Sequence, residues 1–219
     1  MEATKRPRVN ICCSSSFEEA HLAVTAGASA LGLVSEMPSG PGVITEDIIA
    51  RVAVTVPPGV TSVLLTCRQD IGGIIAQQQR TRVGAIQICD RLTDGTYDDL
   101  RRALPGIGLM QVIHVTGPES VVEAVAIAPH VQALLLDSGN PALAVKELGG
   151  TGRVHDWSVS RMIRETVPVP VYLAGGLTPE NVARAVAEVG PFGLDLCSGV
   201  RTGGDLDGEK LARFFTALD

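Results

Sequence analysis

The sequence contains few aromatic residues and no long apolar run. Phe, Tyr and Trp make up 3% of its 219 residues, although 45% are hydrophobic and most of these are Val, Ala, Leu and Ile. This composition suits helices packed on buried parallel strands better than an aromatic-rich antiparallel sandwich. No apolar stretch approaches the roughly 20 residues that span a bilayer. Because no apolar signal core follows the charged N-terminus, we predict a cytoplasmic protein.

An excess of positive charge is also lacking. The chain has 18 Lys and Arg against 24 Asp and Glu, for a net charge of −6, which argues against a nucleic-acid binder. The five cysteines form an odd set without metal-type spacing, and they predict free thiols rather than a disulfide framework. His114 and His155 have no paired ligand spacing. We therefore expect no metal site, no nucleic-acid partner and no membrane partner.

Apolar strand-like runs alternate with helix-like stretches along the whole chain. The runs cover 9–13, 30–34, 61–67, 85–89, 109–115, 133–137, 170–174 and 193–197. Such alternation implies right-handed βαβ crossovers and a parallel sheet. Eight units in 219 residues predict one α/β domain over 1–219, a (β/α)8 TIM barrel. An open doubly wound sheet is the alternative, but no Gly-x-Gly-x-x-Gly follows the first strand.

Side-chain alternation in the first strand predicts which residues face the barrel interior. Residues two apart share a face, so Asn10 and Cys12 point inward, whereas Cys13 points outward to pack against helices. The same rule turns inward a set of residues near the ends of later strands, namely Gln87, Cys89, Asp137, Asp195 and Cys197. These side chains converge on the C-terminal mouth, where barrel active sites lie.

Glycine-bearing loops follow the last two strands. Gly175 and Gly176 precede Thr178, which we expect to cap a helix with Pro179 at its first position. Ser198 and Gly199 occupy the equivalent place one unit later. Glycine lets an anion approach the backbone closely, and barrels frequently bind phosphate between these two loops.

A third loop, 137–157, is long and carries Gly150 and Gly152. Long loops without secondary structure in compact domains are usually functional. We expect this loop to close over a bound substrate.

Four motifs occur in an order and spacing that resemble the phosphoribosylanthranilate isomerase family, a (β/α)8 barrel of tryptophan biosynthesis. The motifs are LLLDS (134–138), GGTGRVHDW (149–157), LAGGLTPENV (173–182) and LDLCSGVR (194–201). The resemblance implies an aldose–ketose isomerase that rearranges N-(5′-phosphoribosyl)anthranilate to the 1-deoxyribulose 5-phosphate ketose. No metal and no organic cofactor are implied.

The resemblance also implies roles for particular residues. Cys12 matches the general base and Asp137 the general acid. A free thiol, with a pKa of about 8.5, needs only a modest downward shift to act as a base at neutral pH. The residues expected to bind substrate or its phosphate are Gly150, Gly152, Gly175, Gly176, Asp195, Ser198 and Gly199. The partner would be a small phosphorylated sugar amine, bound by a monomer or a homodimer.

Several pocket positions depart from the family pattern. The family's Lys-Ile-Cys-Gly is here Asn10-Ile11-Cys12-Cys13, and its arginine after the second strand, which is expected to hold the anthranilate carboxylate, is replaced by Gly42. Cys89 stands where the family has histidine, and Arg201 where it has glutamate.

Three explanations remain open. Arg68, Arg153 or Arg201 replaces the missing carboxylate clamp from another loop, since a bidentate guanidinium can approach from several directions. Alternatively, the substrate carries something other than anthranilate. A third possibility is a catalytically idle homologue that binds a phosphorylated ligand.

Overall fold

The computed structural model describes residues 6–219, which form a closed barrel of eight parallel strands with helices on its outside. The strands are β1 Arg8–Ile11, β2 Ala30–Val34, β3 Thr61–Thr66, β4 Ala85–Ile88, β5 Gly108–His114, β6 Ala133–Asp137, β7 Val171–Leu173 and β8 Gly193–Leu196. The helices are α1 Phe17–Ala26, α2 Glu46–Ala53, α3 Ile71–Thr81, α4 Tyr97–Ala103, α5 Glu119–Ile127, α6 Trp157–Thr166, α7 Val182–Val189 and α8 Gly208–Thr216. The predicted (β/α)8 barrel is confirmed.

Pairing of the first strand with the last closes the barrel. In this parallel pair Asn10 lies opposite Asp195, and Ile11 lies opposite Leu196. Closure therefore brings residues from the two ends of the chain together at the C-terminal mouth.

Polar side chains at the N-termini of the helices fix where most of them begin. Ser16, Thr45 and Asp70 each accept a hydrogen bond from an amide three residues later. Thr96 forms a reciprocal capping box with Asp99. These contacts satisfy amides that have no partner within the helix.

Helix α7 begins later than the sequence predicts. Its N-cap is Asn181 rather than Thr178, so the prediction of a cap at Thr178 is wrong. The Asn181 side chain accepts a hydrogen bond from the Thr178 amide and donates one to the Gly176 carbonyl. These two bonds hold residues 178–181 in a turn that precedes the helix.

Two apolar layers hold the barrel together. Outward-facing strand residues such as Leu64 pack against the helices in one large cluster that includes Phe214. Inward-facing neighbours, Val63 and Leu65, belong to a second cluster inside the barrel. The alternation of 63, 64 and 65 between the two clusters is the two-residue period of an extended strand.

A short antiparallel ribbon follows β8. It pairs β9 Arg201–Thr202 with β10 Asp205–Leu206, and Asp207 then caps α8. No helix within residues 6–219 is both long enough and apolar enough to cross a membrane.

Leu100 offers a test of the outer core. It is fully buried and is the only buried residue of α4, whereas Leu143 is 46% exposed. We expect Leu100→Ala to lower the free energy of unfolding by about 2–5 kcal/mol, because it leaves a cavity. The same change at Leu143 should alter it by about 0.5 kcal/mol or less. Urea unfolding of both variants measures the difference, and equal effects would contradict the burial assigned to α4.

Candidate active site

A cavity of about 670 Å³, its open mouth included, lies at the C-terminal ends of the strands. Apart from the candidate clamp arginines, it brings together the residues that the sequence assigns to catalysis or to substrate binding, namely Cys12, Asp137, Gly150, Gly152, Gly175, Gly176, Asp195, Ser198 and Gly199. Gln87, Cys89 and Cys197 also line it, as strand alternation predicts.

Cys13 lies in this cavity as well, which corrects the prediction that it packs outward among the helices. Strand β1 ends at Ile11, and Cys13 has a φ of +63°, in the left-handed region. Alternation holds only while the backbone is extended, so this turn redirects the Cys13 side chain to the mouth. Its sulfur lies 3.5 Å from that of Cys12 and 2.8 Å from that of Cys197.

The Cys12 thiol is protonated in this environment. A hydrogen bond from the Cys13 thiol lowers its pKa, but burial and the carboxylate of Asp195 outweigh that effect and raise the pKa of Cys12 to about 12. Its pKa therefore moves upward, whereas a base at neutral pH needs a downward shift. A positive charge in the cavity would favour ionisation of Cys12, because it lowers the pKa of a nearby acid.

Asp137 is the last residue of β6, and its buried carboxyl group faces the cavity. One carboxyl oxygen accepts a hydrogen bond of 2.7 Å from the Ser138 amide. Glycine backbones surround the carboxyl group: a Cβ at Gly149 would lie 2.9 Å from one oxygen, and a Cβ at Gly175 would lie 3.1 Å from the other. The loops after β6 and β7 therefore close around Asp137.

Asp195 is buried beside Asn10, its partner in the β1–β8 register. The Asn10 side-chain amide donates a hydrogen bond to the Asp195 carboxyl group. Burial and the nearby Asp137 raise the pKa of Asp195 to about 7, and the bond from Asn10 offsets only part of that rise. The cavity thus holds, besides Asp137, a carboxyl group with a pKa of about 7.

The predicted phosphate loops lie side by side at the C-terminal ends of β7 and β8. Gly176 has a φ of +63°, and a Cβ there would come within 2.9 Å of the backbone of Val154. A side chain at Gly199 would collide with the Leu177 carbonyl. Both positions therefore require glycine, and the backbone there is open to the cavity.

The long loop after β6 is fastened at two points. The hydroxyls of Ser138 and Thr151 lie 2.7 Å apart, and the Ser39 hydroxyl donates to the carbonyl of Lys146 at 2.7 Å. Gly149 to Gly152 then form one wall of the cavity. Whether the loop moves further over a substrate stays a prediction.

None of the three candidate clamp arginines lines the cavity. Arg68 lies with Glu36 and Asp70 around a separate depression. Arg153 forms an ion pair with Glu147 on the surface. The geometry therefore gives no support to Arg68 or Arg153 as a carboxylate clamp.

Arg201 is buried in a structural position instead. Its guanidinium pairs with Glu19 at 2.7 Å and donates to the carbonyls of Cys12 and Cys13 at 3.3 and 2.6 Å. Burial would raise the pKa of Glu19, but the Arg201 guanidinium and backbone amides hold it below its ordinary value. Arg201 thus fastens the turn that carries both cysteines and points away from the substrate space.

Gly42 packs directly on that turn. It has a φ of +77°, and a Cβ there would lie 2.5 Å from the Cβ of Cys13. The loop after β2 therefore lies against the cysteine turn with no side chain between them. The family pattern has glycine at position 13, and glycine favours positive φ. That glycine could have indicated a left-handed turn at Cys13 from the sequence alone.

Removal of Arg201 should reduce stability. We expect Arg201→Ala to lower the free energy of unfolding by about 3–5 kcal/mol, because Glu19 is left buried without its partner. Arg213→Ala is the matched control, since its ion pair with Glu180 is more than 60% exposed on both sides, and it should cost about 0–1 kcal/mol. Denaturant titration measures both. A fully stable Arg201→Ala variant would contradict the structural role.

Asp195 should make stability depend on pH. In the folded protein the Asp195 carboxyl group keeps its proton up to about pH 7, whereas in the unfolded chain it loses the proton near pH 3.8. Unfolding therefore releases a proton between these pH values. The contribution of Asp195 to the free energy of unfolding therefore falls as the pH rises from about 4 to about 7. We expect Asp195→Asn to flatten that fall in urea midpoints measured across this range. Asp205→Asn, at an exposed site, should leave the fall of the urea midpoint with pH unchanged. If the wild type and Asp195→Asn show the same dependence of the midpoint on pH, the raised pKa assigned to Asp195 is refuted.

Comparison with known proteins agrees with this geometry. Residues 9–217 match the sequence family described as N-(5′-phosphoribosyl)anthranilate (PRA) isomerase. N-(5′-phosphoribosyl)anthranilate isomerase 2 of Methanosarcina mazei is 34% identical, and the match covers 94% of this chain and 92% of that protein. The enzyme of Haloarcula marismortui is 35% identical, with 94% of each covered.

Solved structures give the same result. Phosphoribosyl anthranilate isomerase from Thermotoga maritima superposes with a TM-score of 0.79 at 27% identity, covering 97% of this chain and 98% of that one. A phosphoribosyl anthranilate isomerase in complex with reduced 1-(o-carboxyphenylamino)-1-deoxyribulose 5-phosphate superposes with a TM-score of 0.77 at 25% identity, over 97% and 98% of the chains. The barrel, its mouth and these relatives together show that the chain belongs to the N-(5′-phosphoribosyl)anthranilate isomerase family, the isomerases of tryptophan biosynthesis.

Proposed function

We propose that this chain performs the family's Amadori rearrangement with Cys12 as general base and Asp137 as general acid. One observation carries the proposal: a thiol from the end of β1 and a carboxyl group from the end of β6 line the same cavity, next to the glycine loops of β7 and β8. The rearrangement needs a proton donor, a proton acceptor and an anchor for the phosphate, and these groups supply all three.

The phosphate anchors the substrate at the β7 and β8 loops. Gly175, Gly176 and Gly199 present backbone without side chains to the cavity, and Ser198 adds a hydroxyl. Backbone N–H groups bind anions well. Anchoring there places the ribose ring toward Asp137, whose carboxyl group lies against Gly175.

Asp137 then opens the ring. It donates its proton to the furanose oxygen while the bond between that oxygen and C1′ breaks. The lone pair of the substrate nitrogen forms the C1′=N bond, which leaves an iminium ion. Holding donor and substrate in place converts this proton transfer into an effectively unimolecular step.

Ring opening leaves Asp137 as a carboxylate, so the Cys12 thiol can pass its proton to that carboxylate and become a thiolate. The thiolate then removes the proton from C2′. The iminium ion is the positive charge that the cavity needs, because a nearby cation favours the ionised form of a buried acid. The thiol is therefore a poor base until ring opening and a competent one after it. The resulting enolamine gains a proton at C1′ and loses that of the 2′-hydroxyl, which yields the ketose.

Replacement of either residue should abolish turnover. We expect Cys12→Ala and Asp137→Asn each to lower kcat by about 10²–10⁴-fold, the usual contribution of a positioned acid or base. Purified protein is incubated with phosphoribosylanthranilate, and the loss of anthranilate-type fluorescence gives the rate. Cys67→Ala is the control, since Cys67 does not line the cavity. Retention of more than a tenth of the activity by either active-site variant would overturn its assigned role.

A further inference from the structure

We propose that the end of the cavity that receives the aglycone selects an uncharged, apolar amine, so that N-(5′-phosphoribosyl)aniline and similar amines without a carboxylate are substrates alongside the anthranilate. This inference rests on the proposed function and extends its substrate class. Three features of the described residues carry it: the lining of the wall opposite the phosphate loops, the charges around the mouth, and the side-chain amide oxygen of Gln87, which has no hydrogen-bond partner.

The wall opposite the phosphate loops is apolar. The closed strand order places β3 and β4 across the barrel from β7 and β8. The side chains on that side of the cavity include Val34, Met37 and Leu65, which pack in the apolar cluster inside the barrel. With the phosphate held at β7 and β8, the amine substituent lies against this wall. Such a surface favours an apolar group and opposes a charge.

The charges around the cavity oppose a substrate carboxylate. The ionisable groups that line it are carboxyl groups and thiols, with Asp137 and Asp195 both buried there. Three cations around the mouth are engaged outside the cavity: Lys146 pairs with Asp90, Arg153 with Glu147, and Arg201 with Glu19. Arg68 lines a separate depression. A carboxylate on the aglycone would therefore be buried in this cavity without a cation from residues 6–219 lining it.

The loop after β2 brings no cation either. Gly42 lies against Cys13, and any side chain at position 42 would overlap the Cys13 Cβ. The neighbouring residues that do reach the cavity are Ser39, Gly40 and Pro41. This loop therefore presents a neutral surface to the aglycone.

Gln87 supplies the polar contact that fits an amine. Its side chain is 3% exposed and lines the cavity, and its Oε1 has no hydrogen-bond partner among the described residues. A buried acceptor without a partner costs free energy until a donor reaches it. The N–H of an arylamine is such a donor, whereas a carboxylate is not.

Paired stable ligands test the selectivity without requiring turnover. The probes are 1-anilino-1-deoxyribitol 5-phosphate and its o-carboxyanilino counterpart, and calorimetry on the purified protein gives both Kd values. We expect the anilino ligand to bind as tightly as the carboxylated one, within threefold, or more tightly. A larger preference for the carboxylated ligand overturns the inference.

Met37→Lys places a cation at the apolar wall with little change in side-chain length. We expect it to shift the ratio of the two Kd values at least tenfold toward the carboxylated ligand. Met37→Gln, which is polar but neutral, should shift it less than threefold. An unchanged ratio in Met37→Lys would show that the aglycone does not lie at this wall. The wild-type comparison still decides selectivity if the lysine variant does not fold.

Turnover separates this inference from the proposed function. Rearrangement of both phosphoribosylaniline and phosphoribosylanthranilate, with kcat/KM values within tenfold, supports both. Binding of both ligands without turnover of either substrate contradicts the proposed function, while the Kd ratio still decides the selectivity. Turnover of the anthranilate alone overturns the inference and leaves the proposed function standing.

Discussion

Pairing of β1 with β8 is the constraint on which the site depends. It joins the two ends of the chain and sets Asn10 opposite Asp195. Because the register is fixed there, the residues that follow each strand must also meet, and Cys13 and Cys197 come within 2.8 Å of each other. Arg201 then fastens the turn after β1 to the ribbon after β8 through Glu19 and two carbonyls. The Cys12 thiol is therefore positioned mainly by closure of the barrel, and only secondarily by its own loop.

Burial in this closed mouth controls the acid–base behaviour of the groups that line it. The pKa values of Cys12 and Asp195 both rise, because burial opposes ionisation of either group. A neighbouring carboxyl group adds to the effect: Asp195 acts on Cys12, and Asp137 acts on Asp195. Neutral forms are thus stabilised before the reaction begins. A mechanism that generates a cation in the substrate suits such a site, since the cation favours ionisation of the base only at the step that uses it.

The sequence predicts the barrel because each strand and helix is specified locally. Strands β2 and β6 have the predicted bounds, and alternation correctly turns Gln87, Asp137 and Asp195 inward. Alternation fails at Cys13, where the backbone leaves the extended region. The start of α7 is missed because side-chain hydrogen bonds of Asn181 hold the preceding turn, so the helix does not begin after Thr178 as expected. The place of Arg201 was beyond sequence reasoning, since its partner Glu19 lies 182 residues away.

The contact between Gly42 and Cys13 has an evolutionary consequence. A chain with a side chain at 42 and cysteine at 13 would place two Cβ atoms in one space, so that combination is a poor intermediate between this site and the family pattern. The order of substitution is therefore constrained. On the way from this site to the family pattern, position 13 must lose its side chain before position 42 can gain one. On the way from the family pattern to this site, position 42 must lose its side chain first. The two departures are therefore coupled in order, with glycine at both positions as the permitted intermediate.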